Sequence, residues 1–448
     1  MVRATTHCII LGGFILMAKI ITIDDALNLI KSNDHIVAGM AASEGRAFFM
    51  RLHEIAHRVD NVTIDNCLPL YPYEFMVNNS YAKRFTIHSW FFSGDLRKAF
   101  KNKNIAFIPN QLHFAGQKRT QFKKPNVFVG TASLPDKHGF VSLSLSNVYE
   151  KHMIEQADTV ILEINPNFPR THGDVEVHQN TIDYFVEVDY PAPELPDNEP
   201  NEKDKKIGAF IAERIHDGDT IQLGIGGIPN AVALALMDKK DLGVHTEMLT
   251  TGFMKLFKHG VITGRKKNLH KGKMVAAFAL GTKELYEFID DNPAVMLLDG
   301  NYVNDPMVIG QNDNQVSINT TIEVDLTGQC CSESIGTMQF SGTGGQTDTA
   351  TGAQRAKNGR SFIALYSTAM VKNKDTGERE PMSKIVSTLK PGAAVSLSRN
   401  DVDMIVTEYG VAELRGTSIK ERVERLIAIA HPNFRDGLRQ EAEMIGYI

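Results

Sequence analysis

Short apolar runs alternate with helix-period segments along nearly the whole chain. "DTVILEIN" (158–165), "GDTIQLGI" (218–225) and "VDMIVTEYG" (402–410) are bursts of aliphatic and β-branched residues, opened or closed by Asp, Asn or Gly. Such runs read as buried strands, and their alternation with helices predicts α/β layers with mainly parallel sheets. One stretch breaks the rhythm. "YPAPELPDNEPNEKDKK" (Tyr190 to Lys206) is rich in proline and charge, lacks a period, and reads as an exposed linker. The expected division is therefore an N-terminal domain over 18–190, a linker over 191–206 and a C-terminal domain over 207–448.

The two sides of that linker resemble each other. "LIKSNDHIVAGMAASEGRAFFMRL" (29–52) lies without a gap over "RIHDGDTIQLGIGGIPNAVALALM" (214–237), so that Asp34 meets Asp219, Ile36 meets Ile221 and Gly39 meets Gly224. A second match sets "ADTVILEIN" (157–165) against "VDMIVTEYG" (402–410), with "VSLS" shortly before each. Two matches in the same order predict duplicated α/β domains. The copies differ at one loop, "GMAASEGRA" in the first and "GIGGIPNAV" in the second. A ligand site is expected in the cleft between them.

Bulk properties narrow the function. At 448 residues the chain is too long for one ordinary core. A net charge of −5 without a basic block argues against nucleic acid or an acidic membrane surface as partner. The four cysteines form neither a CxxC spacing nor a disulfide framework, which suits a reducing, cytoplasmic setting. Residues 1–17 mimic a signal peptide, but Met17 opens "MAKIITIDDALNLIKSND", the start of a capped helix. They are expected to be a non-native or disordered leader. No later run approaches the ~20 apolar residues of a membrane span.

Three constellations could carry chemistry. In "TIQLGIGGIPNAV" a strand enters Gly226 and Gly227, then a helix with Pro229 in its first turn, leaving backbone N–H groups open to negative charge. The alternative reading is a tight strand-to-helix turn, since neither GxGxxG nor a P-loop is present. A second glycine loop, "SGTGGQTDTATGAQ" (341–354), follows about a hundred residues later. N–H groups fixed at an oxyanion position contribute ~3–4 kcal/mol each. Glu247, in "LGVHTEMLTTG" (242–252), is an acid among apolar residues. It could cap a helix or pair with His245 or Lys255; chemically, it could be a base or a covalent nucleophile. His172 and His178 in "THGDVEVH" lack a recognised metal spacing, and "KNKDTGEREPM" (372–382) reads as a solvated hairpin or loop.

Taken together, "QLGIGGIPNAV", "DLGVHTEM", "VSINTTIEVDLTGQ", "SGTGGQTD", "VTEYGVAELRG" and "IAHPNFRDGL" resemble the acetyl-CoA hydrolase/transferase family. Within it the likeness is to butyrate and 4-hydroxybutyrate CoA-transferases, a group that includes itaconate CoA-transferases. It runs from about residue 20 onward. The resemblance implies two related α/β domains of CoA-transferase type, with Glu247 as nucleophile. By that likeness, Glu247 attacks an acyl-CoA to give an acyl-glutamyl anhydride and CoA thiolate. The thiolate then forms a glutamyl-CoA thioester, and an incoming carboxylate reverses the sequence. No permanently bound cofactor or metal is implied; coenzyme A and acyl-CoA are substrates, and the assembly is a homodimer or homotetramer. Oxyanion contacts map to Ile228 and Gly345. CoA contacts map to Gly226, Gly227, Gly344, Gly345 and Lys384, and the acid pocket to Asn319 and Glu408. Many relatives carry Phe after the aspartate of the second loop, whereas Thr349 follows Asp348 here, which bears on pocket size and polarity. Two alternatives stand beside the transferase. An acyl-CoA hydrolase would lose thioester whether or not a carboxylate is added; a binding module would take CoA without turnover.

Overall fold

The structure, a computed structural model, describes residues 18–372 and 376–448; the expected leader over 1–17 lies outside them. Two eight-stranded sheets organise the chain. In spatial order the first carries the strands starting at Lys19, Tyr184, Thr159, Val127, His35, Val62, Phe85 and Ile105, with every neighbouring pair parallel. The second runs Val295, Met274, Gly243, Thr220, Gln315, Arg360, Met404 and Gly410, parallel except for the last pair. Interior strands such as Val127–Ala132 and Met274–Ala279 are buried at every position. A strand covered on both faces needs an unbroken apolar run, which is the pattern legible in the sequence.

Both sheets are wound alike. Apart from the edge strand Lys19–Ile21, each domain begins at a central strand, His35–Ala38 or Thr220–Leu223. It adds three strands outward on one side and the later ones on the other. The match of 29–52 onto 214–237 places equivalent residues in equivalent roles. Asp34 accepts the Lys31 N–H at 2.7 Å and Asp219 accepts the His216 N–H at 2.7 Å, each closing the turn before its central strand. The second match needs correcting. By sheet position Thr159–Ile164 is equivalent to Arg360–Ala364, and Tyr184–Glu187 holds the place of Met404–Thr407. The capping acids agree: the Val160 N–H donates to Asp183, and the Ser361 N–H to Asp403. Buried parallel strands are alike in composition whichever slot they fill, so the similarity alone chose the wrong pair.

The expected linker also needs correcting, because the helix Glu202–Ala212 starts inside it. Asn201 accepts the Lys203 and Asp204 N–H groups while Asp204 returns a bond to the Asn201 N–H, a capping box that starts a helix despite the charge run. Asp204, Ile207, Gly208 and Ile211 face inward. Residues before it dock on the C-terminal domain: the Leu195 N–H donates to Gly281 O and the Tyr286 hydroxyl to Pro193 O. Of the expected hairpin or loop over 372–382, residues 373–375 lie outside the described residues; on either side of them Thr368–Lys372 runs antiparallel to Arg379–Ser383. Among the described residues no helix is long and apolar enough to cross a membrane, and no group of three His, Cys, Asp or Glu is placed to hold a metal ion.

The domains meet along a backbone seam. The Asn147 N–H donates to Ala277 O, the Gly300 N–H to Asn147 O and the Leu297 N–H to His172 O, each at 2.9 Å. Gly300 permits this approach, since a Cβ there would lie 2.6 Å from Val148 O. One hydrophobic cluster runs through both domains, from Val37 to Val406.

Candidate active site

Glu247 lies within the strand Gly243–Leu249. On one side that strand stays paired with Met274–Ala279 as far as Leu249↔Ala279. On the other its pairing with Thr220–Leu223 stops at Ile221↔Val244, three residues before Glu247. The strands part there, and the carboxylate stands in the gap at their carboxyl ends, where open α/β sheets place ligands. The gap opens into a cleft of about 470 Å³ between the domains. Met40, Leu68, Phe91 and Leu112 of the N-terminal domain form an apolar roof, facing Glu247, Asn319 and the glycine loop of the C-terminal domain. The simpler pairings do not occur: Lys255 is bonded to Asp197, and His245 Nε2 lies 2.8 Å from Val303 O.

The second glycine loop presses on the carboxylate. A Cβ on Gly345 would lie 1.9 Å from Glu247 Oε2 and 2.1 Å from Asn304 Nδ2, so backbone alone fits. Gly344 has φ +54°, and a Cβ there would come within 3.8 Å of Glu247 Oε1. Both line the cleft, as does Lys384. The first loop is placed differently from expectation. Gly224 and Ile225 reach the cleft, whereas Ile228 is buried in the helix Gly227–Ala235. Gly226, at φ +106°, faces an adjoining cavity beside Thr250 and Thr251. Gly227 is a packing residue, because a Cβ would lie 2.4 Å from Asp204 Oδ2.

The expected acid-pocket residues divide. Asn319 lines the cleft, at the end of the strand Gln315–Thr320. Thr349 is buried behind it and accepts from Asn319 Nδ2 at 3.0 Å, so it orients Asn319 instead of facing the cleft. The Ile318 N–H and the Ser317 hydroxyl both donate to Gln222 Oε1, and Ser317 Oγ accepts from Asn319 Nδ2 at 2.9 Å. That chain leaves the Gln222 amino group and the Asn319 carbonyl oxygen for the cleft. Glu408 is not part of it. Its carboxylate accepts from the Ser367 N–H and hydroxyl and pairs with Lys203 at 3.0 Å, so its charge is satisfied elsewhere.

Sequence reasoning missed the groups that hold Glu247. Asn304 Nδ2 donates to Glu247 Oε2 at 2.7 Å, from the end of the short helix Gly300–Val303. Asp348 is buried one turn into the helix Gln346–Arg355. Burial pushes the Glu247 carboxyl up to about 7; the Asn304 bond opposes this, the nearby Asp348 adds to it, and the Gly345 N–H opposes it. Burial also lowers Lys384, against the pull of Glu323 and Glu408. A polar residue inside an apolar strand, Gln222 in "TIQLGI", was a legible signal; Asn304 in a loop had none.

Comparison with known proteins fits this geometry. Family models described as the acetyl-CoA hydrolase/transferase N-terminal and C-terminal domains match residues 16–194 and 281–442. The chain is 40% identical to the succinyl-CoA:cyclohexane-1-carboxylate CoA transferase of Geobacter metallireducens, over 95% of each chain. It is 41% identical to the 4-hydroxybutyrate coenzyme A transferase of Clostridium kluyveri, over 94% of this chain and 97% of that one. The chain belongs to the acetyl-CoA hydrolase/transferase family. Like these relatives, this family member is an enzyme of the CoA-transferase type. The crystal structure of RipA from Yersinia pestis superposes on the enzyme with a TM-score of 0.89 at 34% identity, covering 96% of this chain and 98% of RipA. The expected fold class, two related α/β domains with mainly parallel sheets, holds.

Proposed function

We propose that the enzyme moves coenzyme A from an acyl-CoA to a short-chain carboxylic acid through a covalent thioester on Glu247. One observation carries the reading: the Glu247 carboxylate stands at an interdomain cleft with a glycine backbone so close that no side chain fits between. A carboxylate oxygen attacks the thioester carbonyl, the C–S bond breaks, and an acyl-glutamyl anhydride and CoA thiolate result. The thiolate adds to the glutamyl carbonyl and expels the first acid, leaving Glu247 joined to CoA through sulphur. A second carboxylate reverses both steps. Gly345 and Asn304 are the donors for charge developing on glutamyl oxygens, and in a dry site such bonds are worth more than in water. The apolar roof of Met40, Leu68, Phe91 and Leu112 favours transfer over hydrolysis, since an anhydride survives only where water is excluded.

The lining also bears on the acid. Among the described residues around the cleft, Lys384 alone is a Lys or Arg. An uncharged acyl chain, of the butyrate or 4-hydroxybutyrate kind, suits these walls better than a dicarboxylate such as itaconate, whose second charge needs a partner. The test offers butyrate, 4-hydroxybutyrate, acetate and itaconate to the enzyme with acetyl-CoA and identifies the new acyl-CoA by mass. Monocarboxylates should be converted in the wild type, with Glu247→Ala slower by roughly 10⁴-fold or more. Turnover by Glu247→Ala at the wild-type rate, or thioester loss indifferent to added acid, would contradict the reading.

A further inference from the structure

The two turns that carry the groups holding the Glu247 carboxylate are both anchored by one residue of the other domain. His113 follows Leu112 of the cleft roof and is buried. Its ring Nδ1 lies 2.8 Å from Asp348 Oδ1, and its backbone N–H donates to Asp348 Oδ2 at 3.2 Å. Its backbone oxygen accepts from Asn301 Nδ2 at 2.8 Å. Asp348 sits three residues beyond Gly345, and Asn301 three residues before Asn304, the two donors at Glu247. Next to it the Leu112 N–H donates to Gly344 O at 3.1 Å, pinning the glycine loop to the N-terminal domain.

We infer that His113 is a positioning residue, which sets the Glu247 carboxylate for attack by fixing the glycine loop through Asp348 and the Asn304 turn through Asn301. The inference rests on the reading of Glu247 as nucleophile. His113 acts through its neighbours and needs no contact with substrate. The arrangement makes a correctly placed carboxylate depend on domain contact, because the N-terminal domain supplies both the roof and the clamp. It also gives the buried Asp348 carboxylate two partners, the His113 ring and the His113 N–H. The other charged or titratable groups bearing on this cluster are Asp305 beside Asp348, the Cys67 thiol of the N-terminal domain, and Lys384 in the cleft wall.

The experiment is a single turnover with butyryl-CoA, following the CoA adduct on Glu247 by quenched-flow mass analysis across pH. It compares wild type with His113→Ala, His113→Asn and Asp348→Asn. In His113→Ala the high-pH plateau rate should fall about tenfold, with KM for butyryl-CoA changing less than about threefold. His113→Asn keeps an N–H donor toward Asp348 and should recover most of the plateau. Asp348→Asn removes the neighbouring charge and should move the acidic limb to lower pH. A plateau within about twofold of wild type in His113→Ala would overturn the inference while leaving the nucleophile intact. Loss that His113→Asn does not recover would overturn it too. Absence of any adduct in the wild type would overturn both. Should His113→Ala fail to fold, His113→Phe, which fills the space without an N–H donor, decides on the same plateau criterion.

Discussion

Glu247 is held at a cost to stability. Its carboxyl is pushed from 4.5 to about 7, so the fold disfavours the charged form. Below about pH 4.5 the group is protonated in folded and unfolded chains alike, and it contributes no penalty. Between that pH and about 7 the unfolded chain ionises while the fold keeps its proton, so stability falls as pH rises; above about 7 the loss is complete. Glu247→Gln should therefore be more stable than wild type at pH 8, on the order of 1–3 kcal/mol, with the difference vanishing near pH 4. Denaturant midpoints at the two pH values measure it, and a pH-independent difference would contradict the assignment. On the proposed mechanism the same shift predicts that adduct formation rises with pH through about 7, since the attacking form would be the ionised carboxylate. Glu247 was legible in the sequence because a lone acid in an apolar strand is conspicuous. Asn304 and His113 were not, because their roles come from contacts between segments more than fifty residues apart.

Gly345 is at helix position N-cap with φ −99°, a conformation open to any residue, so the glycine is required by space and not by backbone angle. The atoms a Cβ would strike are the ends of the Glu247 and Asn304 side chains, both able to move. Gly345→Ala is expected to fold with little change in thermal midpoint but to lose roughly 10²-fold in turnover, because the carboxylate is displaced. A fully active Gly345→Ala, or one that fails to fold, would show that the loop does not act through Glu247. Both glycine loops were expected to supply an oxyanion contact, through Ile228 and Gly345. They differ in what they approach: Gly345 meets the carboxylate, whereas Gly227 meets Asp204 of a neighbouring helix. A Gly-rich turn announces close approach without naming its partner, which is why Ile228 was expected in the site and Gly224 and Ile225 stand there instead. The charged stretch before the helix Glu202–Ala212 misled for a related reason, since its capping box outweighs a composition that reads as linker.

The duplication shows what the first half holds where the second has the proposed nucleophile. Ile36 pairs with Ile64 and Ile221 with Val244, so the sheet register sets Cys67 in the place of Glu247. Cys67 is fully buried and its thiol is held well up by burial, an inert group beneath the roof of its partner's site. The first copy has become the cover, and its contacts reach the cleft through Leu112 and His113. That dependence predicts the effect of parting the seam. In Gly300→Ala the Cβ would meet Val148 O at 2.6 Å and Val148 Cα at 2.9 Å, backbone atoms of the other domain. Destabilisation of about 1–3 kcal/mol is expected. Turnover should fall with it, because Asn301 and Asn304 lie on the same turn; unchanged kcat at a lowered thermal midpoint would separate seam from site. The parallel-sheet class and the first repeat match were readable from strand composition, while strand order needed hydrogen-bond register. The decisive measurement is peptide mapping of enzyme quenched during turnover with acyl-CoA. CoA joined through sulphur to the peptide containing Glu247, and to no other, is the expected result; an unmodified Glu247 peptide in a turning-over enzyme, or CoA on a different residue, would contradict it.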